Sequence, residues 1–185
     1  MNNGIGKAAS IMVKILEVGH WVSAALMAVA GVLSLAAPQW LKYVMDVESL
    51  AVDGKLSAYG LEVIAKVPSG ELHTTVLCLF AVGATAIFVL VALIFRWLYL
   101  LIKQAEKATP FCAENVSRLK KIGISCIVVP LIGFVMSGII QLVAGGYYAE
   151  VYMDQTGAIM GIIILCLTQY FARGAQLEND VDGLL

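Results

Sequence analysis

Charged residues are scarce in this sequence. Asp, Glu, Lys and Arg make up 14% of its 185 residues, whereas soluble domains hold about 25%. Hydrophobic residues make up 61%, and the mean hydropathy is +0.89. Because this much apolar surface has to contact lipid, the composition predicts a membrane protein. The net charge of −1 provides no overall positive field, so we expect no direct binding of nucleic acid.

Histidine and cysteine are also scarce, with two and four residues. The sequence has no Cys-x-x-Cys pair and no Cys/His cluster, which argues against a structural zinc site. It also lacks a Walker loop, a zincin motif, a dinucleotide fingerprint and a nucleophile–base motif. We therefore expect a protein that is not an enzyme and that carries no catalytic residues, metal or cofactor.

The sequence contains long runs without charged residues. A bilayer core of about 30 Å needs roughly 17–25 helical residues, and four runs reach that length. Strict alternation of polar and apolar residues is missing, which argues against a membrane barrel. The sequence thus predicts an all-α fold, a four-transmembrane-helix bundle forming one membrane domain over residues 1–185. The expected spans are approximately 11–37, 72–98, 122–148 and 155–172.

The distribution of lysine and arginine predicts the orientation. Nine of the 12 basic residues fall on one side if the two termini share it, and the positive-inside rule makes that side cytoplasmic. Residues 39–70 then form an exported loop. In it "VDGK" (52–55) is a turn signal, which indicates a small hairpin or an irregular cap. A cytoplasmic loop over 99–121 and a cytoplasmic tail over 173–185 complete the topology.

The polar stretch "PFCAENVSRLKKIG" (110–123) predicts a cytoplasmic elbow helix that runs on into the third span. Thr109 is a candidate N-cap and Pro110 a candidate first residue, because proline suits the first turn of a helix. The basic cluster of Arg118, Lys120 and Lys121 is expected to anchor the helix to lipid phosphates.

Few polar residues fall within or beside the spans. Glu17 and His20 share one helix face, and Gln141 lies in the third span, so these three form a candidate membrane polar site. They are interpreted first as interfacial and packing residues, with Glu17 paired to a lysine. A quinone, haem or proton-relay role is the alternative.

Two cytoplasmic stretches carry a resemblance to a known family. The first follows Pro-Phe-x-x-x-Asn-x-x-x-Leu-x-x-Ile-Gly and the second Phe-x-x-Gly-x-x-Leu-x-x-Asp. The matching residues are Pro110, Phe111, Asn115, Leu119, Ile122 and Gly123, then Phe171, Gly174, Leu177 and Asp180. With its four spans, the chain resembles the small bacterial membrane proteins catalogued as domain of unknown function 2975.

The resemblance implies a multi-pass protein of the bacterial inner membrane and a partner. Members of the family are often encoded beside a small helix-turn-helix regulator, so a regulatory or sensory partner of such a protein is the first hypothesis. The motif residues form a candidate surface that either caps the bundle or binds the partner: Pro110, Phe111, Asn115, Leu119, Phe171, Gly174 and Leu177. A homo-oligomeric channel or small-solute permease is the alternative, and a haem or quinone subunit using His20 or His73 is a further one.

Overall fold

The part of the chain that the structure describes contains four long helices and one hairpin. A computed structural model of the protein describes residues 3–39, 55–64, 73–105 and 112–182. All four helices are long and apolar enough to cross a membrane, so the predicted four-helix fold class is confirmed. In chain order the elements are α1 (Asn3–Ala36), β1 (Lys55–Ala58), β2 (Leu61–Ile64), α2 (Thr74–Ala105), α3 (Ala113–Ala144) and α4 (Gln155–Asp182).

Each helix extends past its predicted span at one end only. The added residues lie at the starts of α1 and α3 and at the ends of α2 and α4. The elbow helix is present as the first turns of α3, which continues through Pro130 without interruption. Its N-cap is Cys112, whose carbonyl oxygen accepts the amides of Asn115 and Val116 at 3.0 and 3.2 Å. The predicted cap at Thr109 and Pro110 lies outside the described residues.

The chain divides into two compact units. The first comprises Met1–His20, Leu90–Val128 and Thr156–Leu185. In it α3 and α4 approach closely at two glycines. A Cβ atom at Gly161 would lie 2.7 Å from the carbonyl oxygen of Gly123 and 2.6 Å from Cγ1 of Ile127. Only glycine fits at this contact, which is typical of helix packing in lipid.

The second unit comprises Trp21–Val89 and Val129–Gln155 and contains the hairpin. Its strands pair antiparallel with Ala58 opposite Leu61. The turn residues Tyr59 and Gly60 both have positive φ, 47° and 89°, as a type I′ turn requires. A hairpin or an irregular cap was expected, and a hairpin is present. Of the predicted turn at 52–55, Lys55 opens β1, while residues 52–54 lie outside the described part.

The hairpin packs through β2 onto the helices of the second unit. The Leu61 and Val63 side chains are fully buried. The amide of Ile64 donates to the carbonyl of Tyr148 at 2.8 Å, and Val63 forms a bridge with Ala149. The loop between α3 and α4 therefore pairs with the free edge of β2 and provides hydrogen-bond partners for its backbone groups.

Candidate functional site

A polar cluster ties the end of α2 to the start of α3. Arg118 donates to Gln104 and to Glu114, and its Nη1 lies 3.3 Å from Oδ1 of Asn115. The amide nitrogen of Gln104 donates to Oε2 of Glu114 at 3.1 Å. We call these four residues the α2–α3 clasp. It closes the connection between the two helices with hydrogen bonds that involve a charged guanidinium, which are stronger than neutral ones.

The clasp changes the interpretation of the basic cluster. Arg118 was predicted to hold lipid phosphates, but its guanidinium is occupied inside the protein. Lys120 and Lys121 are exposed, and the ammonium of Lys121 lies 5.9 Å from the ring centre of Trp97. An interfacial tryptophan beside this lysine fits a position at the headgroup level of a bilayer. The lipid-anchor hypothesis therefore rests on the two lysines.

The predicted partner or cap surface divides into buried and exposed parts. Asn115 is 3% exposed and contributes to the interior, while Leu119, Phe171 and Gly174 are partly buried. Leu177 in the last turns of α4 is 66% exposed. Two further members, Pro110 and Phe111, lie outside the described residues.

A second exposed side chain extends the surface around Leu177. Tyr170 is also exposed, and it lies seven residues before Leu177. Residues seven apart in a helix lie on one face. The end of α4 thus presents an exposed stripe of one aromatic and one aliphatic side chain.

The candidate polar residues of α1 pair locally. Glu17 is 3% exposed, and its carboxylate accepts a hydrogen bond from Nζ of Lys14 at 2.9 Å. His20 donates from Nδ1 to the carbonyl oxygen of Leu16 at 2.7 Å, and its ring packs on Phe95 at 5.1 Å. The expected lysine partner of Glu17 is therefore present.

Gln141 has a different setting from the other two candidate polar residues. It belongs to the second unit, whereas Glu17 and His20 belong to the first. It is exposed near the end of α3, and its backbone carbonyl accepts the amide of Gly145 at 3.0 Å. Gln141 thus lies where α3 ends, at a helix terminus.

The other histidine, His73, caps α2. Its Nδ1 accepts the amide of Val76 at 3.3 Å, and its carbonyl accepts the amide of Leu77 at 3.0 Å. Its ring also packs on Tyr148 with centres 4.8 Å apart. Within the described ranges, no three His, Cys, Asp or Glu side chains come together to hold a metal.

Tyr152 and Glu62 form a contact that the sequence did not reveal. The pKa of Tyr152 is raised by burial, by a hydrogen bond to Glu62, and by the negative charges of Glu62, Asp154 and Glu150. The hairpin and the α3–α4 loop are far apart along the chain, so no local pattern signals their contact.

Comparison with known proteins gives one match. Residues 35–183 match the family model described as a protein of unknown function, DUF2975. No curated protein and no solved structure matches the chain. The matched range includes both motif stretches, in agreement with the resemblance found in the sequence.

Proposed function

We propose that this chain, which belongs to the DUF2975 family, is a non-enzymatic regulatory or sensory protein of the bacterial inner membrane. In this proposal its partner is a small helix-turn-helix regulator on the cytoplasmic side. Both termini and the α2–α3 connection lie on that side, as the positive-inside rule favours. The chain controls the regulator by binding it at the membrane.

The exposure of Leu177 carries the proposal. A helix needs about 20 residues to cross a bilayer, whereas α4 has 28 residues and runs from Gln155 to Asp182. Leu177 lies near the end of this helix, yet it is 66% exposed. If the motif surface only capped the bundle, this leucine would be packed. Leu177 ends the span-capable stretch Gln155–Leu177, and the acidic end of α4 follows it. In this proposal its exposed side chain therefore lies at the cytoplasmic surface, where a partner can contact it.

The α2–α3 clasp supports the same function, because it fixes the start of α3 on the side of the membrane where the proposal places the regulator. Because Asn115 and Arg118 are held by hydrogen bonds within the protein, the start of α3 has a fixed geometry. A fixed base lets α4 present its exposed stripe without a large entropic cost on binding.

The alternatives receive less support from the described residues. Stripes of small residues and Gln141 motivated a channel or permease, and Gln141 is exposed at the end of α3. His20 or His73 motivated a haem or quinone site. Nδ1 of His20 bonds to the carbonyl oxygen of Leu16, and Nδ1 of His73 is used as a helix cap. A second copy of the chain at the α4 stripe is kept as an outcome of the test below.

Co-purification tests the proposal. The full chain is expressed in its native host with a tag and purified in mild detergent, and recovery of a small helix-turn-helix regulator encoded beside it is measured. We expect the wild type to recover the regulator and Leu177→Asp to lose it. The matched control is Val151→Asp, which adds the same charge to an apolar residue in the α3–α4 loop.

The outcomes separate the hypotheses. Retention of the regulator by the control, together with altered transcription of its target in a deletion strain, supports the proposal. Recovery of no regulator and unchanged transcription would overturn it. Self-association that Leu177→Asp abolishes would instead favour a homo-oligomer.

A further inference from the structure

A pocket with a mixed apolar and basic lining opens between the start of α1 and the end of α2, within the first unit. Its volume is about 220 Å³, and one water needs only about 10–15 Å³. The pocket is therefore large enough for a headgroup with several oxygen atoms. Residues from two helices line it: Lys7, Ser10, Ile11, Tyr99, Ile102 and Lys103.

The charges at this pocket favour an anion. Its two charged lining residues are Lys7 and Lys103, and both are exposed. A third cation, Lys14, lies 5.3 Å from the ring centre of Tyr99, but it is paired with Glu17. The net positive charge thus comes from Lys7 and Lys103, and the Ser10 hydroxyl adds a neutral donor. Two ammonium groups and a hydroxyl suit a phosphate group.

The position of the pocket relative to the membrane surface favours a phosphate that belongs to a lipid. Tyr99 lies two residues after Trp97, and tyrosine and tryptophan concentrate at the headgroup level of membranes. Lys103 lies four residues further along α2, about 6 Å toward water. Ile11 is strongly exposed and lines the pocket with Ile102. A free phosphate gains nothing from these apolar side chains, whereas a lipid contacts them with its glycerol and acyl groups.

We propose that this pocket binds the phosphodiester group of an anionic glycerophospholipid. Lys7 and Lys103 pair with the phosphate oxygens, Ser10 donates a hydrogen bond, and the two isoleucines contact the apolar part of the lipid. The site is distinct from the Lys120 and Lys121 anchor on α3. It does not depend on the proposed regulatory function, since it uses residues of α1 and α2 alone.

Native mass spectrometry of the full chain tests the proposal. The protein is exchanged into detergent and titrated separately with phosphatidylglycerol and phosphatidylcholine. Inorganic phosphate is then added to the phosphatidylglycerol complex. We expect phosphatidylglycerol to bind with a discrete stoichiometry, phosphatidylcholine to bind much more weakly, and inorganic phosphate not to compete. Removing both lysines (K7Q/K103Q) should weaken the binding of phosphatidylglycerol about 30-fold, which corresponds to about 2 kcal/mol.

Two control variants make the result specific. K120Q/K121Q removes the same charge from the other basic cluster and should keep the affinity within about threefold, while K7R/K103R should retain most of it. These results, with unchanged helical circular dichroism in every variant, support the site. Equal losses in the two glutamine variants, no loss in either, or full competition by inorganic phosphate would overturn it.

Discussion

The guanidinium of Arg118 in α3 donates a hydrogen bond to the side-chain oxygen of Gln104 near the end of α2. The same group also contacts Glu114 and Asn115. One side chain thus links the end of α2 to the start of α3 by hydrogen bonds. This arrangement assigns Arg118 a structural role, although its sequence neighbours Lys120 and Lys121 are exposed cations.

The clasp predicts a stability difference between neighbouring basic residues. Replacing Arg118 by Ala should lower the free energy of unfolding by about 1–3 kcal/mol, because hydrogen bonds to a charged group are lost and the buried amide of Asn115 loses a partner. Lys120→Ala should change it by less than about 0.5 kcal/mol. Denaturant unfolding in detergent micelles measures both, and equal effects of the two substitutions would contradict the clasp.

The Lys14–Glu17 pair predicts that losing the lysine alone is worse than losing both charges. Lys14→Gln leaves the carboxylate of Glu17 buried without its cation, a cost of about 1–3 kcal/mol. The double variant K14Q/E17Q removes that charge and should recover most of the lost stability. The midpoint of thermal unfolding orders the variants. A double variant less stable than Lys14→Gln would show that Lys14 is not the main partner of Glu17.

The glycine contact between α3 and α4 predicts sensitivity to a single methyl group. Gly161→Ala would bring Cβ to 2.7 Å from the carbonyl oxygen of Gly123, so the helices have to separate. Overpacking of this kind costs about 1–3 kcal/mol. Gly138 has no neighbour within 4 Å of its Cβ position, so Gly138→Ala should be neutral or slightly stabilising. Thermal unfolding of the two variants in the same detergent provides the comparison, and equal melting shifts would exclude the contact.

Tyr152 predicts a loss of stability at alkaline pH. Its folded-state pKa is raised above the ordinary value of 10.0, chiefly by burial and then by Glu62. The folded protein then binds the phenol proton more tightly than the unfolded chain does. The resulting contribution to the free energy of unfolding is present below about pH 10 and is lost as pH rises through the folded pKa. Tyr152→Phe should make unfolding less dependent on pH between about pH 9 and 11. An unchanged pH profile would show that Tyr152 is not the source of the loss of stability at alkaline pH.

Several features of the fold could be predicted from the sequence because they arise from local composition. Uncharged runs long enough to cross a bilayer indicate the four helices, and the stretch after residue 110 indicates the start of α3. The sequence did not indicate the hairpin turn at Tyr59 and Gly60, because the Asp-Gly pair at 53–54 is a stronger turn signal. Tyr59 adopts its left-handed conformation within a hairpin that buries Leu61 and Val63.

The candidate sites depended more on contacts between distant parts of the chain. A count of basic residues predicts orientation, but it does not distinguish Arg118, which is held by Gln104, from Lys120, which is exposed. The pocket between Lys7 and Lys103 was missed for the same reason, since its two lysines come from different helices. Motif matching did indicate Leu177, and the structure shows that its side chain is exposed.

Site-specific photo-crosslinking in living cells tests the central claim most directly. A benzophenone amino acid is placed at position 177 at the end of α4, or at position 151 in the α3–α4 loop as the matched control. The account predicts a crosslink at 177 to a small helix-turn-helix regulator and none at 151. Crosslinks to that regulator from 151 but not from 177, or from neither position, would contradict it.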